Sequence, residues 1–302
     1  MTARVLVQAP ATSANLGPGF DAAGLALDWW DTLEVTAGEA GPAAPMRVTG
    51  EQAELIPTGP DNLVRRAMER LAAATGTALP PVRLAVVKGF PLGRGFGSSA
   101  AAVALGLLAA RQLVAADLLD GELLALACEL EGHPDNAAAC LAGGATLSRS
   151  EGGLARASRL DVHPDLVALA LVAPEAMATT EARRLLPDQV PFAAAARTAG
   201  RAALLPLALS GEFDLLFPAT ADELHQPARL ARMPDAARLL ERLRDRGHAA
   251  FLSGAGPSLL VLAPRAGLAT AETDAREALD GTAGWRLHPV EVARDGARVH
   301  TG

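Results

Sequence analysis

The chain has 302 residues, with 34 acidic against 27 basic side chains and a formal net charge of −7. That length suffices for two domains of ordinary size, and the acidic balance argues against nucleic acid as a partner while leaving room for a small anion held by local arginines. The longest apolar run, Ala100–Ala110, is too short to span a bilayer. The opening MTARVLVQAPA, broken by Gln8 and Pro10, has no apolar signal-peptide core. No membrane partner is expected, and Cys128 and Cys140, without metal spacing, read as reduced thiols of a cytoplasmic protein. Aromatic residues make up only 3% and tyrosine is absent, so the cores must be built from Ala, Leu and Val.

In chain order, Arg4–Ala9 reads as a first strand, with Leu25–Leu27 and Thr32–Thr36 as later ones. Between them PATSANLGPGFDAAG, Pro10 to Gly24, reads as a long, rigid, polar loop of the kind that carries function. Asp61 is expected to cap the helix DNLVRRAMERLAAATG, which ends at Gly76. The strand Val82–Val87 leads into PLGRGFGSSAA, and an Ala/Leu-rich helix starts at Ser98. Glycines at 89, 93, 95 and 97 suit a loop wrapped around a ligand. The helix N-terminus that follows suits a phosphate. Ser98 and Ser99 are placed to cap that helix or to reach a phosphate-bound Mg²⁺. The pattern is not a Walker loop, since no Gly-Lys-Ser/Thr follows the glycines.

A second helix spans Gly121–Gly132; then HPDN, with Asp135 or Asn136 able to cap, opens another, and a strand follows at Ala145–Ser148. Glu151-Gly152-Gly153 reads as a turn. Beyond it, strands are expected at Leu166–Val172, Ala250–Leu252, Leu259–Leu262 and Trp285–Val290. Helices are expected at Glu181–Leu186, Phe192–Leu209, Ala236–Arg246 and Ala269–Leu279. This mixture predicts an α+β fold, with a soft boundary near residues 150–165.

Three Gly/Ser/Asn-rich loops, Pro10–Gly24, Pro91–Ala101 and SGAGPS at Ser253–Ser258, each follow a strand-like run and can meet at one face. Together they resemble the GHMP kinases over nearly the whole chain. SANLGPGFD after Ala9-Pro10-Ala11-Thr12, with EGHPDN at Glu131–Asn136, is similar to the homoserine kinases of that superfamily. Relatives acting on mevalonate carry a Lys where Thr12 stands.

The resemblance implies a two-domain fold: an N-terminal ATP-binding domain of ribosomal-protein-like type, residues 1–160, and a C-terminal ferredoxin-like α/β sandwich, residues 161–302. It implies ATP-dependent phosphorylation of L-homoserine in threonine biosynthesis by a cytoplasmic enzyme, expected as a homodimer. Pro91, Leu92, Gly93, Arg94, Gly95, Phe96 (where Leu is more usual), Gly97, Ser98, Ser99, Ala100 and Ala101 correspond to the ATP loop. Ser253, Gly254, Ala255 and Gly256 support it. Mg²⁺ falls to Ser99, with Ser98 next, and to Glu131, with Glu129 as the alternative. Asn15, Asp21, His133, Asn136, Arg183 and Arg229 are the substrate residues, the arginines because a guanidinium fork matches a carboxylate. Asp135 and Asn136 are placed at the reacting centre, Asp135 either as a base or as a group that orients Asn136.

Overall fold

The computed structural model describes residues 4–38, 46–152 and 154–301; Gly153 of the expected turn lies outside them. The elements run β1 (Arg4–Ala14), β2 (Ala23–Ala37), β3 (Arg47–Gly50), α1 (Leu63–Thr75), β4 (Val82–Lys88), α2 (Ser98–Leu113), α3 (Asp120–Glu131), α4 (Asp135–Ala142), β5 (Ala145–Glu151) and β6 (Leu154–Leu160). They continue with β7 (Leu166–Val172), α5 (Thr179–Arg184), α6 (Phe192–Ser210), α7 (Leu216–Ala219), α8 (Gln226–Leu230), α9 (Pro234–Asp245), β8 (Ala249–Leu252), β9 (Leu259–Pro264), α10 (Leu268–Ala278), β10 (Arg286–Glu291) and β11 (Arg298–Thr301).

The strands form two sheets, bearing out the α+β expectation. The first has the order β11-β1-β2-β4-β3, with β5 added to the start of β2 and β6 to β5. Leu25–Leu27 and Thr32–Thr36 are parts of one strand, which pairs with β1 along its length and changes its other partner from β5 to β4. The expected loop Pro10–Gly24 is correspondingly shorter. A register shift between Pro10 and Ala11 carries the proline through the ladder, and β1 runs on to Ala14. Asn62, not Asp61, caps α1, its Oδ1 accepting from the Val64 amide at 2.8 Å, and Gly76 closes the helix in the left-handed conformation. Alanines at 100, 101, 104, 109 and 110 bury α2 against α1 and β1.

The second sheet, β10-β7-β9-β8, is antiparallel throughout. With α9 before β8 and α10 before β10, the segment from β7 follows the split β-α-β-β-α-β plan. All seven residues of β7 are buried, as a strand covered on both faces requires. The last strand, β11, returns to the first sheet beside β1.

Candidate active site

The three glycine-bearing loops converge on one cavity of about 200 Å³. The first loop lines it with Ala14, Asn15 and Asp21, and Asn15, Leu16 and Asp21 are non-glycine residues held at positive φ. Such a conformation persists only where the surroundings enforce it, and here Asn15 does so. Its Nδ2 donates to the Gly254 carbonyl at 2.8 Å, and its Oδ1 accepts from the Asp21 amide at 3.1 Å. Asn15 therefore clamps the first loop to the third, and Ser253 clamps the third to the second through Oγ to the Gly95 carbonyl at 2.7 Å.

The second loop explains its own glycines. Gly95 lies at φ +87°, and a Cβ there would overlap the Ser253 carbonyl oxygen and come within 3.1 Å of its carbon. At Gly97, φ +64°, a Cβ would strike the hydroxyl of buried Thr12. Gly97 also takes the cap position of α2, without a side-chain cap bond, so Ser98 is the first helical residue and does not cap. Phe96 is buried against Trp29, ring centroids 5.7 Å apart. Arg94 turns away from the cavity: its guanidinium donates to the Ala173, Pro174 and Leu92 carbonyls and to Gln52, tying the loop to the chain after β7. Pro91, Ala100 and Ala101 likewise stand outside the cavity lining.

The two serines part company. Ser99 Oγ donates to Glu131 Oε2 at 2.8 Å, joining the start of α2 to the end of α3. Burial holds the Glu131 carboxyl above the usual carboxylate range, only partly offset by the Ser99 bond. A desolvated carboxylate beside a hydroxyl is a cation-seeking pair of hard oxygens. With phosphate and water completing the shell, that pair suits Mg²⁺. Glu129, the alternative, instead faces outward and pairs with Arg70 at 2.6 Å. Among the described residues no three His, Cys, Asp or Glu side chains cluster to hold a metal by themselves.

Ser98 accepts instead from Lys88, at the end of β4, whose Nζ lies 2.9 Å from Ser98 Oγ and is ion-paired to Asp31. The side chains of Lys88 and Asp31 are only 4% and 1% exposed. Asp31 Oδ1 also accepts from the Gly89 amide at 2.9 Å. Burial pushes the carboxyl up and the ammonium down, each opposed by the other's charge. The sequence reading missed this pair. Its one signal is composition, because Lys88 is the only lysine in the chain beside 26 arginines.

In the lining of the first cavity Asp21 receives both terminal nitrogens of Arg183, at 2.8 and 2.9 Å. Arg229 is only 2% exposed. Its NH1 donates to the Gly254 carbonyl at 3.2 Å and to His225 Nδ1 at 3.1 Å, while its Nε has no partner. His225, also absent from the sequence reading, donates from Nε2 to the Gly17 carbonyl at 2.8 Å. Burial holds its pKa below the usual value, keeping the imidazole neutral so that Nδ1 accepts. His133 donates to Asp135 at 2.9 Å, and the same Asp135 oxygen accepts the Asn136 amide at 2.7 Å, so neither caps α4 through its own side chain. Thr12 donates to Asn136 Oδ1 at 2.8 Å, which leaves the Asn136 Nδ2 hydrogens for a ligand.

A second cavity, of about 230 Å³, adjoins the start of α2, and Ser98 and Ser99 stand in both. Ile56, Pro57, Leu63, Val64, Ala102 and Leu105 give it an apolar wall. No helix among the described residues is long and apolar enough to cross a membrane.

Residues 62–144 match the GHMP kinases N-terminal domain, and residues 204–280 match the GHMP kinases C-terminal domain. A homoserine kinase of Streptomyces avermitilis is 45% identical over 288 residues, covering 94% of this chain and 93% of that protein. One from Streptomyces coelicolor is 44% identical over 301 residues, covering 98% and 94%. The crystal structure of homoserine kinase from Cytophaga hutchinsonii superposes with a TM-score of 0.85 at 27% identity, covering 98% of this chain and 97% of that one.

Proposed function

The chain belongs to the GHMP kinase family, and from that premise we propose that it transfers the γ-phosphoryl group of ATP to the side-chain hydroxyl of L-homoserine, giving O-phospho-L-homoserine for threonine biosynthesis. One observation carries the amino-acid half of this reading. Asp21, Arg183 and Arg229 line the same cavity as the glycine loop, and Asp21 and Arg183 form a bidentate pair there. An amino acid exchanges into the Asp21–Arg183 pair charge for charge, its ammonium on Asp21 and its carboxylate on the two arginines. Residues 1–160 supply the glycine loop, Ser99 and Glu131. Residues 161–302, apart from their last strand, supply the arginines and the Ser253–Gly256 support.

The apolar cavity beside Ser98 and Ser99 suits the nucleotide base, and the loop amides with the α2 N-terminus suit the phosphates. Ser99 and Glu131 would hold Mg²⁺, which when bound neutralises charge on the transferring phosphates. The remaining work is positioning. Thr12 sets the Asn136 amide so that Nδ2 points to the acceptor hydroxyl, and Asp135, held by His133, fixes the start of α4. The bond from the homoserine oxygen to the γ-phosphorus forms as that phosphorus parts from the bridging oxygen. ADP leaves, and the hydroxyl proton passes late to phosphate or water. The bacterial homoserine kinase relatives support a cytoplasmic place for the reaction.

A coupled ADP-release assay with homoserine, mevalonate, galactose and no acceptor tests this. Turnover on homoserine at least a hundredfold above the others is expected, with a phosphomonoester product by ³¹P NMR. Homoserine turnover equal to the no-acceptor rate would overturn the reading.

A further inference from the structure

Lys88 and Asp31 lie at the start of the glycine loop, in the lining of the second cavity, and bond to each other, Ser98 and the Gly89 amide rather than to Asp21, Arg183 or Arg229. A lysine so buried carries a large desolvation penalty unless its three hydrogens find partners. Asp31 takes one, Ser98 Oγ another, and the Phe90 ring lies 4.4 Å from the nitrogen. A compact ammonium can serve two oxygens in that space, whereas the broad planar fork of a guanidinium cannot. In a chain that uses arginine at 26 of its 27 basic positions, the single lysine stands where that difference matters.

A hydroxyl has one hydrogen and two lone pairs. With Lys88 donating to one lone pair of Ser98, the hydroxyl proton is left to point at an acceptor. A divalent cation on the same oxygen would sit within about 5 Å of an ammonium and be repelled by it. Ser99 has the opposite environment, a carboxylate at 2.8 Å. We propose that Lys88, anchored by Asp31, is a positioning residue that makes Ser98 a hydrogen-bond donor to a nucleotide phosphate oxygen and assigns the metal to Ser99 and Glu131 alone. This rests on the ATP-dependent kinase reading above.

The test is a mutant cycle on the full-length enzyme, joining Ser98→Ala with the paired change Lys88→Met/Asp31→Asn, which leaves no lone charge. Ser98→Ala and the paired variant should each raise the KM for ATP about tenfold, the scale of one charge-assisted hydrogen bond. The triple variant should be no worse than either, because Lys88 acts through Ser98. The homoserine KM and the Mg²⁺ half-saturation point should stay at wild-type values, while Ser99→Ala shifts the latter. Multiplying effects in the triple variant, an unchanged ATP KM, or a Mg²⁺ shift in the paired variant would each overturn the assignment.

A second arm needs no change at Lys88. With ζ-¹⁵N-lysine labelling the enzyme gives one ammonium resonance. A non-hydrolysable ATP analogue with Mg²⁺ should move that resonance further in the wild type than in Ser98→Ala, which keeps only the direct effect of nucleotide in the adjoining cavity; equal movement in both, or none in the wild type, overturns the proposal even if the paired variant does not fold. A wild-type enzyme that phosphorylates no homoserine would instead refute the functional reading.

Discussion

Replacing Gly95 by alanine isolates how tightly the second loop is held by the third. Its φ of +87° is left-handed, costing an L-residue roughly 1–2 kcal/mol. The added methyl also has to displace the Ser253 main chain, which is itself tied to Ser13, Gly95 and Ser258. Losing the 2.7 Å Ser253–Gly95 bond adds about 1 kcal/mol. The sum is about 2–3 kcal/mol, or a melting temperature lower by roughly 4–12 °C for a chain of this size. Gly76→Ala is the control: it carries the same left-handed penalty at φ +64°, with nothing within 4 Å of its Cβ. Thermal melts and ATP KM values of the two variants should therefore separate. Gly76→Ala should lose only the smaller, backbone part and keep its ATP KM, while Gly95→Ala should lose more stability and bind ATP more weakly. Equal melting temperatures with an unchanged ATP KM in both would refute the view that the loops are locked together by contact.

Glu131→Gln keeps the shape of the Ser99 bond and removes the charge, so kcat should fall by at least a hundredfold at saturating Mg²⁺ while the circular dichroism spectrum is unchanged; Glu129→Gln, on the outer face, should be near wild type. Arg183→Ala and Arg229→Ala should each raise the homoserine KM strongly, since losing one charge-assisted pair costs on the order of 2–5 kcal/mol, and leave ATP affinity alone. Only Arg229→Ala, which empties a buried site, should also lower the melting temperature. Equal loss of ATP affinity in either arginine variant would move that arginine to the nucleotide site. The neutral His225 gives a pH signature: its folded pKa lies below the ordinary 6.5 because of burial, with Asp222 opposing and Arg229 reinforcing the shift. The unfolded chain therefore binds a proton that the folded one refuses. This penalty is absent above pH 6.5 and grows as the pH falls below it. Melts of wild type and His225→Asn between pH 7.5 and 5.5 should show the wild type losing ground as the pH falls, and a gap that widens in its favour would contradict the assignment.

The glycine loop, the flanking strand and the paired serines were legible in the sequence because glycine clustering and apolar runs are local signals. The Pro10–Gly24 segment misled for the same reason. Its prolines and glycines read as loop, yet a register shift at Pro10 lets the strand continue, and that shift depends on a partner strand some twenty residues away. The cap of α1 moved by one residue, from Asp61 to Asn62, a choice between two good capping residues that spacing alone does not make. Bonds across the fold left no trace in spacing. Thr12 meets Asn136 across 124 positions, Asn15 meets Gly254 across 239, and Lys88 meets Asp31 across 57. The return of β11 to β1 is likewise a decision of the assembled sheet, which gains pairing for β1, whose outer edge would otherwise lie open.

A chain whose one ε-amine is almost sealed from solvent offers an amine-specific acylating reagent nothing on a lysine until the floor of the loop opens. Acylation at Lys88, read by mass, is then a clock for that single opening event, as amide exchange is for a backbone hydrogen bond. A nucleotide bridging the glycine loop to the helix should slow the clock, and the factor by which it slows measures how firmly the floor is shut while the phosphates are in place.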